Sequence, residues 1–117
     1  MAAQLTPPVF WILTSLAEQR RHGYDILRAT EEASGGEVTL RVASLYAALE
    51  RMERDGLIVV DGEEIVNGRT RRYFQISPTG SARLSEEATR MESAARAARA
   101  SMATSAPVLG MPALAVT

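Results

Sequence analysis

Arg41, Arg51 and Arg54 bracket the run RVASLYAALERMER, and Arg69, Arg71 and Arg72 follow a turn in NGRTRR. Guanidinium groups present planar forks of donors that match phosphate oxygens and guanine edges. Ser44, at the head of the first run, and the hydroxyls of Tyr24 and Tyr46 add donors of the same use. The available chemistry is recognition of anions and base edges rather than bond-making. There is no cysteine, hence no thiolate nucleophile, thiolate metal site or disulfide. His22 is the lone histidine, outside any HxxxH or HExxH pattern, and is read as fixing a turn by a hydrogen bond. No glycine-rich phosphate loop is present and the acids fall on solvated helix faces, so neither enzyme, metal nor cofactor is expected.

These side chains need a scaffold. In the stretch Ser44–Ile58, with the residues just before it, Val42, Leu45, Leu49 and Met52, with Ala48, recur at helical spacing and make one core-facing stripe. The opposite side carries Ala43, Ser44, Ala47, Arg51 and Arg54. Such a face suits close approach to a grooved partner, or is an ordinary solvated face rich in helix-forming alanine. Tyr46 reads either as a phosphate donor or as half-buried against the preceding helix. Gly56 ends the helix, and Leu57–Val60 reads as a strand. Asn67-Gly68 is the favoured pair for a two-residue type I′ turn, with TRRYFQIS returning. This turn predicts Val66 opposite Arg69 and Val59 opposite Ile76, with Leu57, Val59, Phe74 and Ile76 on one face. Adjacent strand residues point to opposite faces, so only some of Arg69, Arg71 and Arg72 can meet one partner together. The expected fold class is mostly α with a two-stranded β-hairpin: a winged helix-turn-helix plus a long C-terminal helix.

Upstream, Thr6-Pro7 is a cap-then-proline helix start, and Val9, Ile12, Leu13 and Leu16 form its inward stripe. Phe10 lies beside that stripe. Trp11, the lone tryptophan, projects off it toward a second subunit or a flat aromatic ligand, or is covered by the chain's own C-terminal tail. A second helix, Tyr24 to about Ser34, has Ile26, Leu27, Thr30 and Ala33 as its apolar side, and Gly35-Gly36 closes it. Downstream, Ser77-Pro78 repeats the helix start. Leu84, Ala88, Met91, Ala95, Ala98 and Met102 then recur at spacings of four and three, a heptad seam. It serves either a dimer or the domain's own core, and the dimer is favoured because so small a domain has little surface to cover this helix. The organisation expected is therefore 1–77 as the winged domain, 78–102 as the dimerisation helix and 103–117 as an uncharged apolar tail.

With 117 residues and 46% apolar content, the chain has the length of one globular domain, able to bury roughly two-thirds of its unfolded surface. No apolar run approaches the ~20 residues that span a bilayer, and no signal peptide is read; a cytoplasmic location is expected. Net charge is only −1, but every one of the 13 basic residues is arginine, and Ile65–Arg83 contains four of them and no acid. A basic wing on a near-neutral chain can meet phosphate locally.

The pieces PVFWIL, HGYDI, SLYAALERMERDGLI and GRTRRYFQISPTG, followed by the long helix, resemble the PadR family of transcriptional regulators from about Pro7 to Arg99. The family usually has Gly-Thr in place of Ala43-Ser44, Pro or Gly in place of Ala47, and Thr in place of Ser77. The resemblance implies a homodimeric winged helix that binds a pseudo-palindromic operator on double-stranded DNA and often represses transcription. Tyr24, Arg41, Ser44, Tyr46, Arg51 and Arg54, with Arg69, Arg71 and Arg72, are then the DNA-contacting set. It also implies dimerisation through the C-terminal helix. A small aromatic effector in some members sits at that interface, here between Phe10, Trp11, Met91 and Ala95. A winged-helix adaptor that contacts only protein is the alternative.

Overall fold

The computed structural model describes residues 4–104. In chain order the elements are α1 (Pro7–Glu18), β1 (Arg21–His22), α2 (Gly23–Ala33), α3 (Val42–Arg54), β2 (Ile58–Val66), β3 (Arg69–Ile76) and α4 (Pro78–Thr104). The strands form one antiparallel sheet in the order β1-β3-β2. One compact unit runs through Glu87 and a second begins at Ala88, within α4.

α1 starts where its local chemistry dictates. Thr6 Oγ1 accepts from the Val9 amide at 3.5 Å, and Pro7 has no amide to leave unsatisfied. The apolar stripes of the first three helices then meet the sheet. Ile12, Leu13 and Leu16 from α1 pack with Ile26 from α2 and with Leu45, Leu49 and Met52 from α3, over Leu57, Ile58 and Phe74. Val42 departs from expectation: as the first residue of α3 it lies before the packed turns and is exposed, as is Ala33 at the end of α2.

The hairpin has a third strand beside it that the sequence did not signal, because two residues cannot carry a periodic pattern. Arg21 pairs with Phe74 and His22 with Tyr73. The turn itself is as expected: Asn67 and Gly68 both have positive φ (52° and 76°), and Val66 opposes Arg69. Beyond it the register is corrected by one residue. Asp61 and Gly62 together oppose Tyr73, so Val60 pairs with Phe74 and Ile58 with Ile76. Gly62, at φ 100°, makes this bulge, and a one-residue insertion exchanges the faces of β2 past it, while Leu57, just before the strand, stays buried as expected. The inward face is therefore Ile58, Val60, Phe74 and Ile76, while Val59 points outward at 46% exposure.

Ser77 fastens the end of the sheet to its beginning. Its hydroxyl donates to the Gly56 carbonyl at 2.6 Å and accepts from the Gly80 amide at 2.9 Å, and its own amide donates to the Leu57 carbonyl at 3.0 Å. The base of the hairpin is thus tied at the exit of α3. Further along α4, Leu84 packs against the core of the winged domain itself. Ala88, Met91, Ala95, Ala98 and Met102 are exposed. Ala103 and Thr104 still belong to α4, and the rest of the expected tail lies outside the described residues. Among the described residues no helix is long and apolar enough to cross a membrane.

Candidate nucleic-acid interface

The first turn of α2 is set by His22. Its backbone is extended and its Nδ1 accepts from the Asp25 amide at 3.3 Å, the turn-fixing bond expected of it. Gly23 follows because the ring of Tyr46 lies against its Cα: a methyl group there would overlap the phenol hydroxyl and come within 2.7 Å of Cζ. Tyr46 is thereby laid across the start of α2, half exposed, beside Tyr24 at 62% exposure. So the tyrosine is both in contact with the second helix and open to a partner.

The two tyrosines line a cleft of about 600 Å³ together with Arg69, Arg71 and Arg72, and with Asn67 and Thr70 near the turn. Five of the nine residues expected to meet a partner are brought together here. Of the other four, three are on α3 and Arg41 is the residue just before it. Ser44 and Arg51 line a shallower groove of about 300 Å³ beside Pro8 and Leu40, on the α1 side of the helix. Arg41 stands at the N-terminus, where no side chain caps α3 and no acid occupies the first turn. Arg54 is in the last turn, where its charge suits the helix dipole.

The wing is less basic than the acid-free run Ile65–Arg83 implied, because strand pairing sets acids across from the arginines. Arg72 Nε lies 3.5 Å from Glu63, and Arg71 lies 3.9 Å from Glu64, which also accepts from the Tyr73 hydroxyl at 2.7 Å. These are exposed pairs worth about 0–1 kcal/mol, so either arginine can leave its partner for a phosphate at little cost. Arg69 has no acidic partner among the described residues. Arg71 and Arg72 point to opposite faces, as alternation requires; Arg71 shares its face with Tyr73 and His22. Arg20 covers the Tyr73 ring, 4.3 Å from its centroid, and His22 meets that ring edge-on at 5.4 Å.

His22, Glu63 and Glu64 were missed as parts of this surface. The acids could have been found from the turn, which sets Glu63 and Glu64 opposite Arg72 and Arg71 before the bulge intervenes. Partial burial, then the Arg71 guanidinium, hold the His22 imidazole below its ordinary value of 6.5; Asp25 and Glu64 pull the other way, and Arg28 adds a little to the lowering. The unfolded chain therefore takes up a proton at His22 before the folded one does, so its contribution to stability is present above 6.5 and lost as pH falls through the depressed value. Protonation also removes the acceptor that caps α2. Urea unfolding between pH 8 and 5 is expected to show stability falling toward acid, with a flatter profile in His22→Asn, which keeps a capping oxygen but does not titrate.

Helix, tight wing, tethered third strand and long C-terminal helix together match a known family. The profile of the transcriptional regulator PadR-like family aligns with residues 12–86. The chain belongs to the PadR-like family. Its relatives include the transcriptional regulator Rv3488 of Mycobacterium tuberculosis (strain ATCC 25618 / H37Rv), 35% identical over 85 residues that cover 73% of this chain and 76% of that one. Among solved structures, a PadR family transcription regulator from hypervirulent Clostridium difficile R20291 superposes with a TM-score of 0.67 at 21% identity, covering 83% of this chain and 99% of that one. Bacillus subtilis PadR, solved in complex with operator DNA, gives a TM-score of 0.60 at 20% identity over 67% of this chain and 45% of that one. PadR-like proteins are regulators of transcription, not enzymes.

Proposed function

We propose that this PadR-like regulator binds duplex DNA as a homodimer and represses transcription, with α3 in the major groove and the β2–β3 wing along the phosphate backbone. The observation that carries the reading is the cleft that Tyr24, Tyr46, Arg69, Arg71 and Arg72 line together. Hydroxyls and exchangeable guanidinium groups around one concavity suit a phosphate backbone, and the uncapped start of α3 beside Arg41 offers amides to another phosphate. The operator complex of Bacillus subtilis PadR supports the same use of the fold.

Dimerisation is assigned to the exposed seam of Ala88, Met91, Ala95, Ala98 and Met102, with Leu84 shared between seam and core. A two-fold pair predicts half-site centres about 34 Å apart. Phe10 and Trp11, stacked edge-to-face at 5.1 Å on α1, are assigned with Met91 and Ala95 to a small aromatic effector held between subunits.

Anisotropy titrations of a labelled upstream duplex across a salt series test the reading. Two chains per site are expected. Arg69→Ala and Arg72→Ala are each expected to weaken binding on all sequences alike. Each should also lower the slope of log K against log salt by about 0.9 for every phosphate no longer neutralised. Unchanged slopes would remove the wing from the interface. A chain that shifts no duplex at all would be left with the protein-adaptor role.

A further inference from the structure

Buried Leu45, Leu49 and Met52 fix which way α3 faces, and therefore which residues point most directly away from the core. Those are Ala43, Ala47, Glu50 and Arg54, at spacings of four, three and four, all exposed. Tyr46 and Glu53 flank this line on the wing side, and Ser44 and Arg51 flank it on the α1 side. The centre of the face that would enter a groove therefore holds a carboxylate. Glu50 has no ion-pair partner among the described residues, although Arg54 stands four residues on; the wing acids Glu63 and Glu64, by contrast, each lie opposite an arginine in an exposed pair.

An unpaired carboxylate carried into the field of two phosphate strands is repelled unless it accepts a hydrogen bond there. Ionised, it can only accept. In the major groove guanine and thymine offer acceptors, and the adenine amino group lies between N7 and the thymine O4 of its pair. Cytosine N4 is the donor with an acceptor on one side alone. Ala43 and Ala47, bare methyl groups on the two preceding turns, let the helix lie deep enough for a side chain of this length to reach a base edge.

We infer that Glu50 is a specificity-determining residue that accepts a hydrogen bond from a cytosine amino group in the major groove and penalises the other bases by repulsion. The inference rests on the DNA-binding reading above.

The test is selection from a pool of randomised duplexes by the full chain, by Glu50→Gln and by Glu50→Ala, with circular dichroism to confirm that both variants are folded. The wild-type chain is expected to enrich a cytosine at one fixed position in each half of its site. Glu50→Gln should move that position to adenine, whose N6 and N7 suit an amide, and Glu50→Ala should leave it without preference. Both variants should bind the best wild-type site about tenfold or more weakly, and random duplex more tightly. If both variants enrich the wild-type sequence and merely bind everything more tightly, Glu50 is a solvated charge and the inference fails while DNA binding stands. If the wild-type chain enriches nothing, the DNA-binding reading itself fails and takes Glu50 with it.

Discussion

Replacing Gly80 by alanine is expected to destabilise the winged domain by about 2–3 kcal/mol, lowering Tm by roughly 10–20 °C in a thermal melt. In a helix that substitution is ordinarily favourable by up to about 1 kcal/mol, so the expected sign is reversed. The reason is a clash with backbone. A methyl group on Gly80 would land on the Leu57 carbonyl oxygen and sit 3.0 Å from its carbon and 3.1 Å from Ile76 Cγ1. That oxygen cannot move aside, because it already accepts the Ser77 amide and begins the strand that leaves α3. Relief must come from shifting α4 or the base of the wing, so the variant should also lose affinity for DNA beyond its loss of stability. Ser81→Ala, next door and exposed, is the control and should be neutral or slightly stabilising. A Gly80→Ala protein that melts with the wild type would show that this junction yields readily.

Gly80 also marks the limit of what could be read from the chain. The SPTG motif was visible, and with it the helix start and the family resemblance, but a glycine's spacing says nothing of what its missing side chain would strike. α1 and α3 were legible because each carries three or more buried apolar residues on one face; α2 was legible less by burial, since Ile26 and Leu27 of its apolar side reach the hydrophobic core and Ala33 does not. The turn was legible because two consecutive positive φ values leave few residues other than Asn-Gly. What failed was the pairing past Gly62, since a bulge is a one-residue event with no periodicity of its own, and β1, which is too short to have any. The cleft was half legible. The arginines announce their chemistry by type, whereas the acids that face them do so only once strand register is known. The same holds for Glu50: it sits among charged residues in the sequence and acquires a direction only when Leu49 and Met52 turn inward.

Arg20 and Arg21 put that distinction to the sharpest test, because adjacent arginines in a sequence cannot be ranked. Arg20 is exposed, donates to the Asp61 carbonyl at 2.7 Å and lies over the Tyr73 ring. Arg21 is 8% exposed. Its Nε donates to the Ser15 carbonyl at 2.9 Å and its two terminal nitrogens reach Asp25, at 3.1 Å, and Glu18, so one guanidinium joins the end of α1 to the start of α2. Removing one member of a fully buried pair costs about 3–5 kcal/mol, mostly for the charge and carbonyl left without a partner. Glu18 is solvated and Asp25 keeps 28% of its side-chain exposure, so the discounted expectation for Arg21→Ala is about 2–3 kcal/mol. Arg21→Lys should recover only part of it, since a single ammonium cannot span three acceptors in different directions. Arg20→Ala should cost about 1 kcal/mol or less, the range of an exposed cation–π contact. Urea unfolding of the three variants decides the order. A loss at Arg21 no larger than the small one at Arg20 would mean that the α1–α2 corner is held by its apolar packing alone, and that the start of α2, on which Tyr46 rests, does not depend on this guanidinium.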